Sequence, residues 1–549
     1  MSNDDDQVNA GRPLVLVVMD GVGTGPGDAY DAVAAARTPA LDRLRGIGLH
    51  RELFASGTHV GLSSDGDMGN SEVGHNTMGA GRIFPQGAKR VDDAVHTGEV
   101  WAGAWRDVVE QAGGDRAQLH LIGLLSDGNV HASLEHLTLL LERAKADGVG
   151  TVRVHTLFDG RDVEDRTAHR YVERLEQHLT GLADGNLDYR IASGGGRMVT
   201  TMDRYEANWG VVEQGWKAHV HGTARPFASA QEAITVMREE EPGISDQLLG
   251  AFTVVDGAGE PVGPVRDGDA VVLFNFRGDR AIELTRAFVE GPEFTGFDRG
   301  RVPEVIFAGM TLYDGDTNMP PVRLVHPPRI EDTVSEVIAR AGLRQLACSE
   351  TQKFGHMTYF WNGNRSEEFD AATETYVDIP SDPVQFDTRP WMKSAETADH
   401  VIEALREGGF DFLRSNLAGG DMVGHTGDFE ATVLAVEAVD LAVGRIARQV
   451  EATGGALVVT ADHGNSEDMV ERDAGGRPRT GDDGRPLWKT AHSTNPVPLY
   501  VVDCSGRQWS LAENVGDPGL ANLAATLLML LGLDAPADYR PSLLEPRRS

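Results

Sequence analysis

The chain of 549 residues contains little cysteine, little lysine and no long hydrophobic run, and each shortage excludes a class of protein. Its two cysteines, Cys348 and Cys504, are too few for the disulfide framework that small secreted domains need. Apolar runs such as 14–19 and 527–531 are far shorter than the roughly 20 residues that span a membrane. The first residues are acidic, whereas a secretory signal begins with a basic segment. We therefore expect a soluble, cytoplasmic protein.

Positive charge is also scarce. The chain has 50 Lys and Arg residues against 84 Asp and Glu residues, so its formal net charge is −34. A surface of this sign repels nucleic acid and anionic membranes, and we expect neither as a partner. Only six of the 50 basic residues are lysines. A GC-rich genome and a cytoplasm of high salt would each produce this composition, and the sequence leaves both open.

Hydrophobic residues make up 40% of the chain and charged residues 24%, which is typical of a globular protein with a substantial core. Short apolar runs, typical of buried strands, alternate with longer amphipathic stretches, typical of helices. The strand-like runs are 14–19, 119–125, 152–158, 270–276, 305–308, 456–460 and 499–502. The helical patterns are 134–145, 396–406, 429–450 and 520–531. This alternation predicts an α/β fold with mainly parallel sheets.

Two stretches are candidate boundaries between domains. The first is Phe-Pro-Gln-Gly at 84–87, and the second is the proline-rich segment 318–328. Such a segment is typical of a hinge or a linker. No internal repeat or low-complexity tract is present in the sequence.

Aspartate and histidine residues follow several of the predicted strands, where ligands bind in open α/β sheets. Asp20 follows the first run, and Asp462 and His463 follow the run 456–460. One further motif contains Asp421 and His425, another contains His492, and another contains Ser71 with His75 nearby. A single residue of this kind is more often a turn residue or a helix cap, but several separate motifs together favour a site.

Three aspartates, three histidines and a serine are enough to hold two divalent ions. Carboxylate and imidazole ligands without thiolate favour Mn²⁺, Mg²⁺, Co²⁺ or Zn²⁺. Two such ions can stabilise both oxygens of an in-line phosphoryl transfer. An ion on the Ser71 hydroxyl would stabilise its alkoxide and make it a nucleophile.

The motifs closely resemble those of the cofactor-independent phosphoglycerate mutases. The resemblance rests on Gly-Asn-Ser71-Glu-Val-Gly-His, Ser-Asp-Gly-Asn-Val-His131, Asp-Gly-Arg161-Asp162, Phe-Arg277-Gly-Asp-Arg280, Asp421-Met-Val-Gly-His425 and Asp462-His463-Gly-Asn. These motifs occur in the family's order from about residue 14 to about residue 544. The metal-ligand motifs alone would indicate only the wider alkaline-phosphatase-like superfamily.

The resemblance implies a discontinuous alkaline-phosphatase-like domain, doubly wound around a mainly parallel sheet, over 1–85 and 326–549. An α/β phosphotransferase domain that binds substrate would be inserted over 86–325. Asp421, His425 and His492 would hold one Mn²⁺, and Asp20, Ser71, Asp462 and His463 the other, with Mg²⁺ or Co²⁺ as substitutes.

The resemblance also assigns residues to the substrate: His131, Arg161, Asp162, Arg197, Arg204, Arg277, Arg280 and Lys353. Arginine suits this task because its guanidinium matches both phosphate and carboxylate. The segment from Arg197 to Arg204 departs from the commoner family pattern, because it is one residue longer and lacks an aromatic pair.

The implied activity is the interconversion of 3-phosphoglycerate and 2-phosphoglycerate through a phosphoserine, without 2,3-bisphosphoglycerate. Ser71 would be the nucleophile, Asp162 the acid and base, and Lys353 a stabilising cation, in an enzyme that we expect to be monomeric. Two alternatives are another phosphomutase or phosphatase of the superfamily, and a metal-binding relative without activity. A degenerate relative should have lost metal ligands, yet all seven are present.

Overall fold

The structure is a computed structural model that describes residues 12–62, 64–114, 116–183, 185, 187–203, 208–314, 317–328, 330–473, 475–480 and 484–547. The chain divides into two compact units. The continuous unit is Gly87–Pro327, and the discontinuous unit joins the segment that ends at Gln86 to the segment that begins at Pro328.

Strands and helices alternate along the described residues. The strands are β1 (Leu14–Met19), β2 (Leu49–Leu53), β3 (Leu119–Leu125), β4 (Thr151–Phe158), β5 (Asp188–Gly196), β6 (Arg225–Phe227), β7 (Phe252–Val254), β8 (Ala270–Leu273), β9 (Ile306–Gly309), β10 (Gln345–Glu350), β11 (Glu374–Ile379), β12 (Phe412–Leu417), β13 (Ala456–Thr460), β14 (Val497–Asp503), β15 (Trp509–Leu511) and β16 (Leu544–Pro546). The helices are α1 (Ala32–Ala35), α2 (Pro39–Ile47), α3 (Ser71–Ala80), α4 (Gly87–Thr97), α5 (Ala104–Ala112), α6 (Leu134–Ala146), α7 (Ala168–Leu182), α8 (Trp209–Trp216), α9 (Ala230–Glu240), α10 (Ile282–Val289), α11 (Val334–Arg340), α12 (Thr351–Gly355), α13 (Ser394–Glu407), α14 (Gly419–Gly424), α15 (Phe429–Thr453) and α16 (Leu523–Leu531).

The discontinuous unit is built around a seven-stranded sheet in the order β11-β10-β12-β1-β13-β14-β2. The first five strands in this order are parallel, whereas β14 and β2 pair antiparallel. The central strand β1, Leu-Val-Leu-Val-Val-Met, is buried at every residue. A continuous apolar strand of this kind is typical of a parallel sheet covered on both faces.

The continuous unit contains a second seven-stranded sheet, in the order β6-β7-β5-β4-β3-β8-β9. Its five strands from β5 to β9 in this order are parallel, and β7 pairs antiparallel with β5. All seven residues of β3 are buried, and seven of the eight in β4 are buried. The predicted α/β class with mainly parallel sheets is therefore confirmed.

One predicted strand is shorter than its apolar run. The run 270–276 forms β8 only as far as Leu273. Beyond that residue the N–H of Leu124 in the neighbouring strand β3 donates to Oδ1 of the Asn275 side chain at 2.9 Å, in place of a main-chain carbonyl. The strand therefore ends where a polar side chain takes over the hydrogen bond of the ladder.

Helix α3 begins at a capped residue that bears directly on the site. Asn70 is its N-cap and accepts the N–H of Val73 at 2.9 Å. Gly74 lets the helix approach the end of β13, because a Cβ there would lie 2.5 Å from the carbonyl oxygen of Asp462. Ser71, the first helical residue, is thereby held with the partial positive charge of a helix N-terminus around it.

Candidate active site

Three adjacent parallel strands of the discontinuous unit end in carboxylates. In β1 Met19 pairs with Leu417 of β12, and Val18 pairs with Thr460 of β13. Because neighbouring parallel strands end at the same edge of a sheet, the residues that follow them meet there. These residues are Asp20 after β1, Asp421 in α14 after β12, and Asp462 with His463 after β13.

The Ser71 hydroxyl lies at the centre of this edge. Its Oγ is 2.9 Å from Nε2 of His463 and 3.3 Å from Oδ1 of Asp20. Nζ of Lys353 donates to the same Oγ at 2.6 Å. Since an ammonium group only donates, the hydroxyl proton of Ser71 is directed to the imidazole or the carboxylate. The arrangement favours loss of that proton and stabilises the oxygen that remains.

Lys353 is a buried cation that is held by carboxylates. Its Nζ lies 2.9 Å from Oδ1 of Asp20 and 2.7 Å from Oδ2 of Asp421. Burial alone would lower the pKa of the Lys353 ammonium, but the charges of Asp20, Asp421 and Asp462 raise it above its ordinary value. Lys353 is therefore a permanent positive charge beside the Ser71 oxygen.

The three carboxylates do not share the same electrostatic environment. Burial, reinforced by the charge of Asp462, raises the pKa of Asp20 to about 6. Burial also opposes ionisation of Asp421, but Lys353 and the neighbouring histidines hold its pKa well below the ordinary value. The pKa of Asp462 is lowered as well, because His463 and His75 outweigh the effect of its burial.

His425 and His492 face the same carboxylate oxygen. Nε2 of each lies 3.1 Å from Oδ1 of Asp421. Nδ1 of His425 is 2.6 Å from the carbonyl oxygen of Thr490, and Nδ1 of His492 is 2.8 Å from that of Gly69. A carbonyl only accepts, so both Nδ1 atoms carry hydrogen and both Nε2 atoms keep a lone pair in the neutral imidazole. Burial and the charge of His463 lower the pKa of His492 to about 3, which keeps its ring neutral.

Two overlapping groups of ligand atoms therefore fit divalent ions. Asp421, His463 and His492 form one group, and Asp20, Asp462 and His463 form the other. Within each group the candidate ligand atoms lie within 4.8 Å of one another. Imidazole lone pairs and ionised carboxylates without thiolate are a donor set for Mn²⁺, Co²⁺, Mg²⁺ or Zn²⁺. His425 adjoins the first group through Asp421 and His492.

Several polar residues that the sequence did not single out hold the ligands in place. Nδ2 of Asn416 donates to Oδ2 of Asp20 at 2.6 Å, and Nδ2 of Asn465 donates to Oδ1 of Asp421 at 3.0 Å. The buried carboxylate of Glu467 accepts the N–H groups of Gly23 and Asn465 at 3.0 and 2.9 Å. The motif Asp462-His463-Gly-Asn includes Asn465, whereas Glu467 lies two residues beyond it and Asn416 lies inside a strand, so no motif marked either of these two.

His75, one helical turn after Ser71, holds Ser71 and Asp462 in position. Its Nδ1 donates to the carbonyl oxygen of Ser71 at 2.8 Å and lies 3.2 Å from Oδ2 of Asp462. Its Nε2 is 3.2 Å from Nδ2 of Asn416. The side chain thus fixes the start of α3 relative to Asp462.

The continuous unit contains a second cluster, which is centred on Arg197. Nη1 of this buried arginine donates to Oδ1 of Asp159 at 2.7 Å and to Oδ2 of Asp162 at 2.5 Å. Burial disfavours the charge of Arg197, but the two carboxylates raise its pKa. The N–H groups of Arg161 and Asp162 also bind Asp159, so the loop that carries Asp162 is anchored on that carboxylate.

His131 joins this cluster to the arginines that follow β8. Its Nε2 is 4.0 Å from Oδ2 of Asp162, and its Nδ1 is 3.3 Å from Oδ1 of Asp279. Nε of Arg277 lies 3.4 Å from the same oxygen of Asp279. Burial opposes ionisation of Asp279, but Arg277 and His131 lower its pKa. Sequence reasoning missed Asp159 and Asp279, although each lies inside a motif that it used.

The remaining predicted substrate residues take separate positions. Nη1 of Arg280 donates to the carbonyl oxygen of Met202 at 2.6 Å, and this arginine is buried. The side chain of Arg161 is exposed. Arg204 lies outside the described residues.

Comparison with known proteins assigns the chain first to a class of enzymes and then to a family. The profile of the metalloenzyme superfamily matches residues 12–535, so the chain is a metalloenzyme that depends on divalent metal. A 2,3-bisphosphoglycerate-independent phosphoglycerate mutase of Trypanosoma brucei brucei is 49% identical over 537 residues, which is 97% of each chain. One from Zea mays is 48% identical, over 99% of this chain and 97% of its own.

A solved structure agrees with these relatives. The crystal structure of Leishmania mexicana phosphoglycerate mutase at low cobalt concentration has 48% sequence identity and a TM-score of 0.74, and the match covers 98% of both chains. The chain belongs to the family of 2,3-bisphosphoglycerate-independent phosphoglycerate mutases. The resemblance derived from the motifs is confirmed. None of the helices in the part of the chain that the structure describes is long and apolar enough to cross a membrane.

Proposed function

We propose that this chain interconverts 3-phosphoglycerate and 2-phosphoglycerate through a phosphorylated Ser71, without 2,3-bisphosphoglycerate. One observation carries the assignment of the nucleophile. The Ser71 hydroxyl lies at the N-terminus of α3 and contacts Lys353, His463 and Asp20. No other arrangement of the described residues offers a serine with a cation, a base and a set of metal ligands around one oxygen.

Seven residues of the discontinuous unit are proposed to hold two divalent ions, with Mn²⁺ as the preferred metal. Asp421, His425 and His492 would bind one ion, and Asp20, Ser71, Asp462 and His463 the other. Bound ions supply charge neutralisation for the phosphoryl group and lower the pKa of the serine hydroxyl. The lone pairs of His425 and His492 and the ionised Asp421 support this donor set.

The first half of the proposed reaction transfers the phosphoryl group to the enzyme. Ser71 Oγ attacks phosphorus, so an Oγ–P bond forms while the bond from phosphorus to the glycerate oxygen breaks. The proton of the Ser71 hydroxyl passes to Asp20, whose Oδ1 lies 3.3 Å from Oγ, and Lys353 offsets the charge on the transferring oxygens. The glycerate oxygen that leaves takes a proton from Asp162.

The second half returns the phosphoryl group to the other hydroxyl of the same glycerate. Asp162 removes the proton of that hydroxyl, and the oxygen attacks phosphorus, so a new O–P bond forms while the Oγ–P bond breaks. The Ser71 oxygen then regains its proton from Asp20. Arg197 anchors Asp162 through a hydrogen bond of 2.5 Å, which supports a fixed position for this acid and base. Arg161, Arg204, Arg277, Arg280 and His131 are proposed to bind the carboxylate and hydroxyls of the glycerate, since guanidinium groups match planar carboxylates.

A phosphatase of the same superfamily is the principal alternative. A mutase differs from it because the phosphoserine must meet glycerate rather than water. The arginine-rich cluster of the continuous unit favours the mutase, because it provides cations for the second substrate group, the carboxylate. We propose a small-molecule substrate and a monomeric enzyme.

A coupled assay tests this proposal. Metal-depleted protein is supplied with 3-phosphoglycerate and increasing Mn²⁺, and formation of 2-phosphoglycerate is followed with and without added 2,3-bisphosphoglycerate. We expect turnover that depends on the metal and is independent of the bisphosphate. Release of inorganic phosphate in place of 2-phosphoglycerate, or equal rates on sugar phosphates, would support the phosphatase instead.

A further inference from the structure

A chain of hydrogen bonds through three buried histidines crosses the sheet of the continuous unit, outside the clusters described above. Oδ2 of Asp269 lies 3.0 Å from Nε2 of His120, and Nδ1 of His120 lies 2.9 Å from Nε2 of His155. Nδ1 of His155 lies 2.7 Å from Oγ of Ser193. The same oxygen is 2.7 Å from Nδ1 of His219, whose Nε2 is 2.9 Å from Oγ1 of Thr201. These six residues are at most 1% exposed, and we call them the histidine relay.

The Asp269 end of the relay fixes the direction of every hydrogen bond in it. Both oxygens of Asp269 act as acceptors, Oδ1 from the N–H of Gln118 at 2.8 Å and Oδ2 from that of Arg266 at 2.7 Å. His120 must therefore donate from Nε2 to Asp269. In a neutral ring Nδ1 of His120 then accepts, and the donor to it is Nε2 of His155.

The same logic continues to the other end of the relay. Nδ1 of His155 accepts from the Ser193 hydroxyl, which in turn accepts from Nδ1 of His219. Nε2 of His219 then accepts from the Thr201 hydroxyl. Burial lowers the pKa of all three histidines, with the neighbouring His120 also lowering that of His219 to about 3, so the rings are neutral as this pattern requires.

Two irregularities of the backbone bring the relay together. The register of β4 against β5 shifts by a β-bulge, so that Ser193 rather than Ala192 lies opposite His155. His219 lies in a π-helical turn, Lys217–His221, directly after α8. Bulges and π-turns redirect individual side chains, at a cost in regular hydrogen bonding. Both irregularities here direct a polar side chain to the relay.

The Thr201 end of the relay is a strained residue beside the candidate substrate cluster. Thr201 has a φ of 71°, a left-handed conformation that β-branched residues rarely adopt. Two hydrogen bonds hold it there, from its N–H to the carbonyl of Val211 at 2.8 Å and from its hydroxyl to His219. The next residue, Met202, presents the carbonyl oxygen that accepts Nη1 of Arg280 at 2.6 Å.

We propose that the histidine relay, from Asp269 to Thr201, is a positioning device that holds Thr201 in its left-handed conformation and so places Met202 and Arg280 for the substrate. The inference rests on the proposed mutase activity, for which Arg280 is a substrate-binding residue. The relay residues are positioning residues, because they act through Met202 and touch no substrate group themselves.

Substitutions at two neighbouring threonines test the relay. Thr201→Val keeps the shape of the side chain but removes the donor to His219. Thr200→Val is the matched control, because the buried Oγ1 of Thr200 has no hydrogen-bond partner among the described residues. Thr201→Ser restores the hydroxyl, and Ser193→Ala interrupts the relay at its middle.

We expect Thr201→Val and Ser193→Ala to raise KM for 3-phosphoglycerate about 10-fold, or about 1.4 kcal/mol. The value of kcat should change less than about threefold, because the lost contact binds the substrate and the transition state equally. Thr200→Val and Thr201→Ser should stay within about twofold of the parent KM, a difference of about 0.4 kcal/mol. An equal rise in KM for Thr200→Val and Thr201→Val would overturn the proposal, as would an unchanged KM in Ser193→Ala.

The tautomers of the histidines provide a measurement that needs no substrate. Long-range ¹H–¹⁵N spectra of protein labelled at histidine should show His120 and His155 protonated at Nε2 and His219 protonated at Nδ1, the less common form. A His219 protonated at Nε2, or a charged ring at pH 7, would overturn the relay while leaving the mutase assignment intact. Failure of the parent enzyme to form 2-phosphoglycerate would instead contradict the proposed function, whatever the tautomers are.

Discussion

Nε2 of His425 lies 3.0 Å from Nε2 of His492, and each ring donates its Nδ1 hydrogen to a main-chain carbonyl, so in neutral rings both Nε2 nitrogens carry a lone pair. Two lone pairs at this distance repel each other unless a cation or a proton lies close to both. Oδ1 of Asp421, 3.1 Å from each, adds a negative charge to the same place. The geometry is that of ligands arranged for a divalent ion.

This relationship predicts that metal stabilises the discontinuous unit through His425. Addition of Mn²⁺ at about 100 times its Kd to chelator-treated protein should raise the stability by about 2.7 kcal/mol per site and raise Tm accordingly. His425→Ala should lose a large part of that increase. His400→Ala, an exposed histidine on α13, should keep it. Equal increases in Tm for the two variants would contradict the assignment.

Replacement of Lys353 should separate catalysis from metal binding. Lys353→Met keeps the length of the side chain but removes the cation that contacts Ser71, Asp20 and Asp421. We expect kcat to fall by at least about 10³-fold, or about 4 kcal/mol, because charge on the transferring oxygens is no longer offset. The affinity for Mn²⁺ should not fall, since the carboxylates lose a competing cation.

Lys393 offers a matched control for that variant. It is a lysine of the same unit, and its Nζ lies 2.8 Å from Oδ1 of Asp382. Lys393→Met should keep kcat within about threefold of the parent, since surface ion pairs contribute about 0–1 kcal/mol. A Lys353→Met enzyme that keeps more than a tenth of the parent kcat would count against the role of Lys353.

Asp162→Asn should slow proton transfer to and from the glycerate. The amide keeps the size of the carboxylate near Arg197 and His131 but cannot exchange the proton. We expect kcat to fall about 10²–10⁴-fold, the range for loss of a general acid or base. Glu164→Gln, two residues further on at an exposed position, is the control and should retain kcat. A kcat for Asp162→Asn close to that of Glu164→Gln would reject this role for Asp162.

The buried His219 should make the stability of the enzyme depend on acid pH. Burial, together with His120, lowers its pKa to about 3 in the folded state, whereas an unfolded histidine has a pKa of about 6.5. Only the unfolded state binds the proton between these values. The contribution of neutral His219 to the free energy of unfolding is therefore fully present above about pH 6.5. It is lost as the pH falls below that value, by about 1.4 kcal/mol for each pH unit.

His219→Gln removes this contribution. We expect its Tm to be lower than that of the parent at pH 7 but to fall less steeply between pH 6.5 and 4.5, as followed by near-UV circular dichroism. His96→Gln, at an exposed position of α4, should have the slope of the parent protein. Parallel Tm curves for His219→Gln and the parent would show that His219 is protonated in the folded state at these pH values.

The sequence predicted strands whose buried side chains are mostly apolar. The runs 14–19, 119–125 and 456–460 coincide with β1, β3 and β13. Strand β12, Phe-Leu-Arg-Ser-Asn-Leu, was missed because three polar residues interrupt its apolar pattern. Partners distant in sequence make their burial possible, as Arg414 donates to the carbonyl of Met357 at 3.0 Å. Only the tertiary structure reveals such partners.

The residues of the candidate site also divide into those that the sequence predicted and those that it missed. Asp20, Asp462 and His463 could be found because each follows a predicted strand or lies in a specific motif. Asn416 could not be found, because its importance comes from one hydrogen bond to Asp20, which is 396 residues away in the sequence. His120, His155 and His219 carry no motif, and only a β-bulge and a π-turn bring them into one relay.

The phosphorylation state of Ser71 tests the central claim most directly. The enzyme is mixed with 3-phosphoglycerate and Mn²⁺, quenched in acid within milliseconds, and the peptide that contains Ser71 is analysed by mass spectrometry. We predict one phosphoryl group on Ser71 in the parent and in the control Ser510→Ala, at a half-buried position of β15, and neither phosphoenzyme nor turnover in Ser71→Ala. Substantial mutase activity in Ser71→Ala, or a phosphoryl group on another residue of the active parent enzyme, would contradict the account.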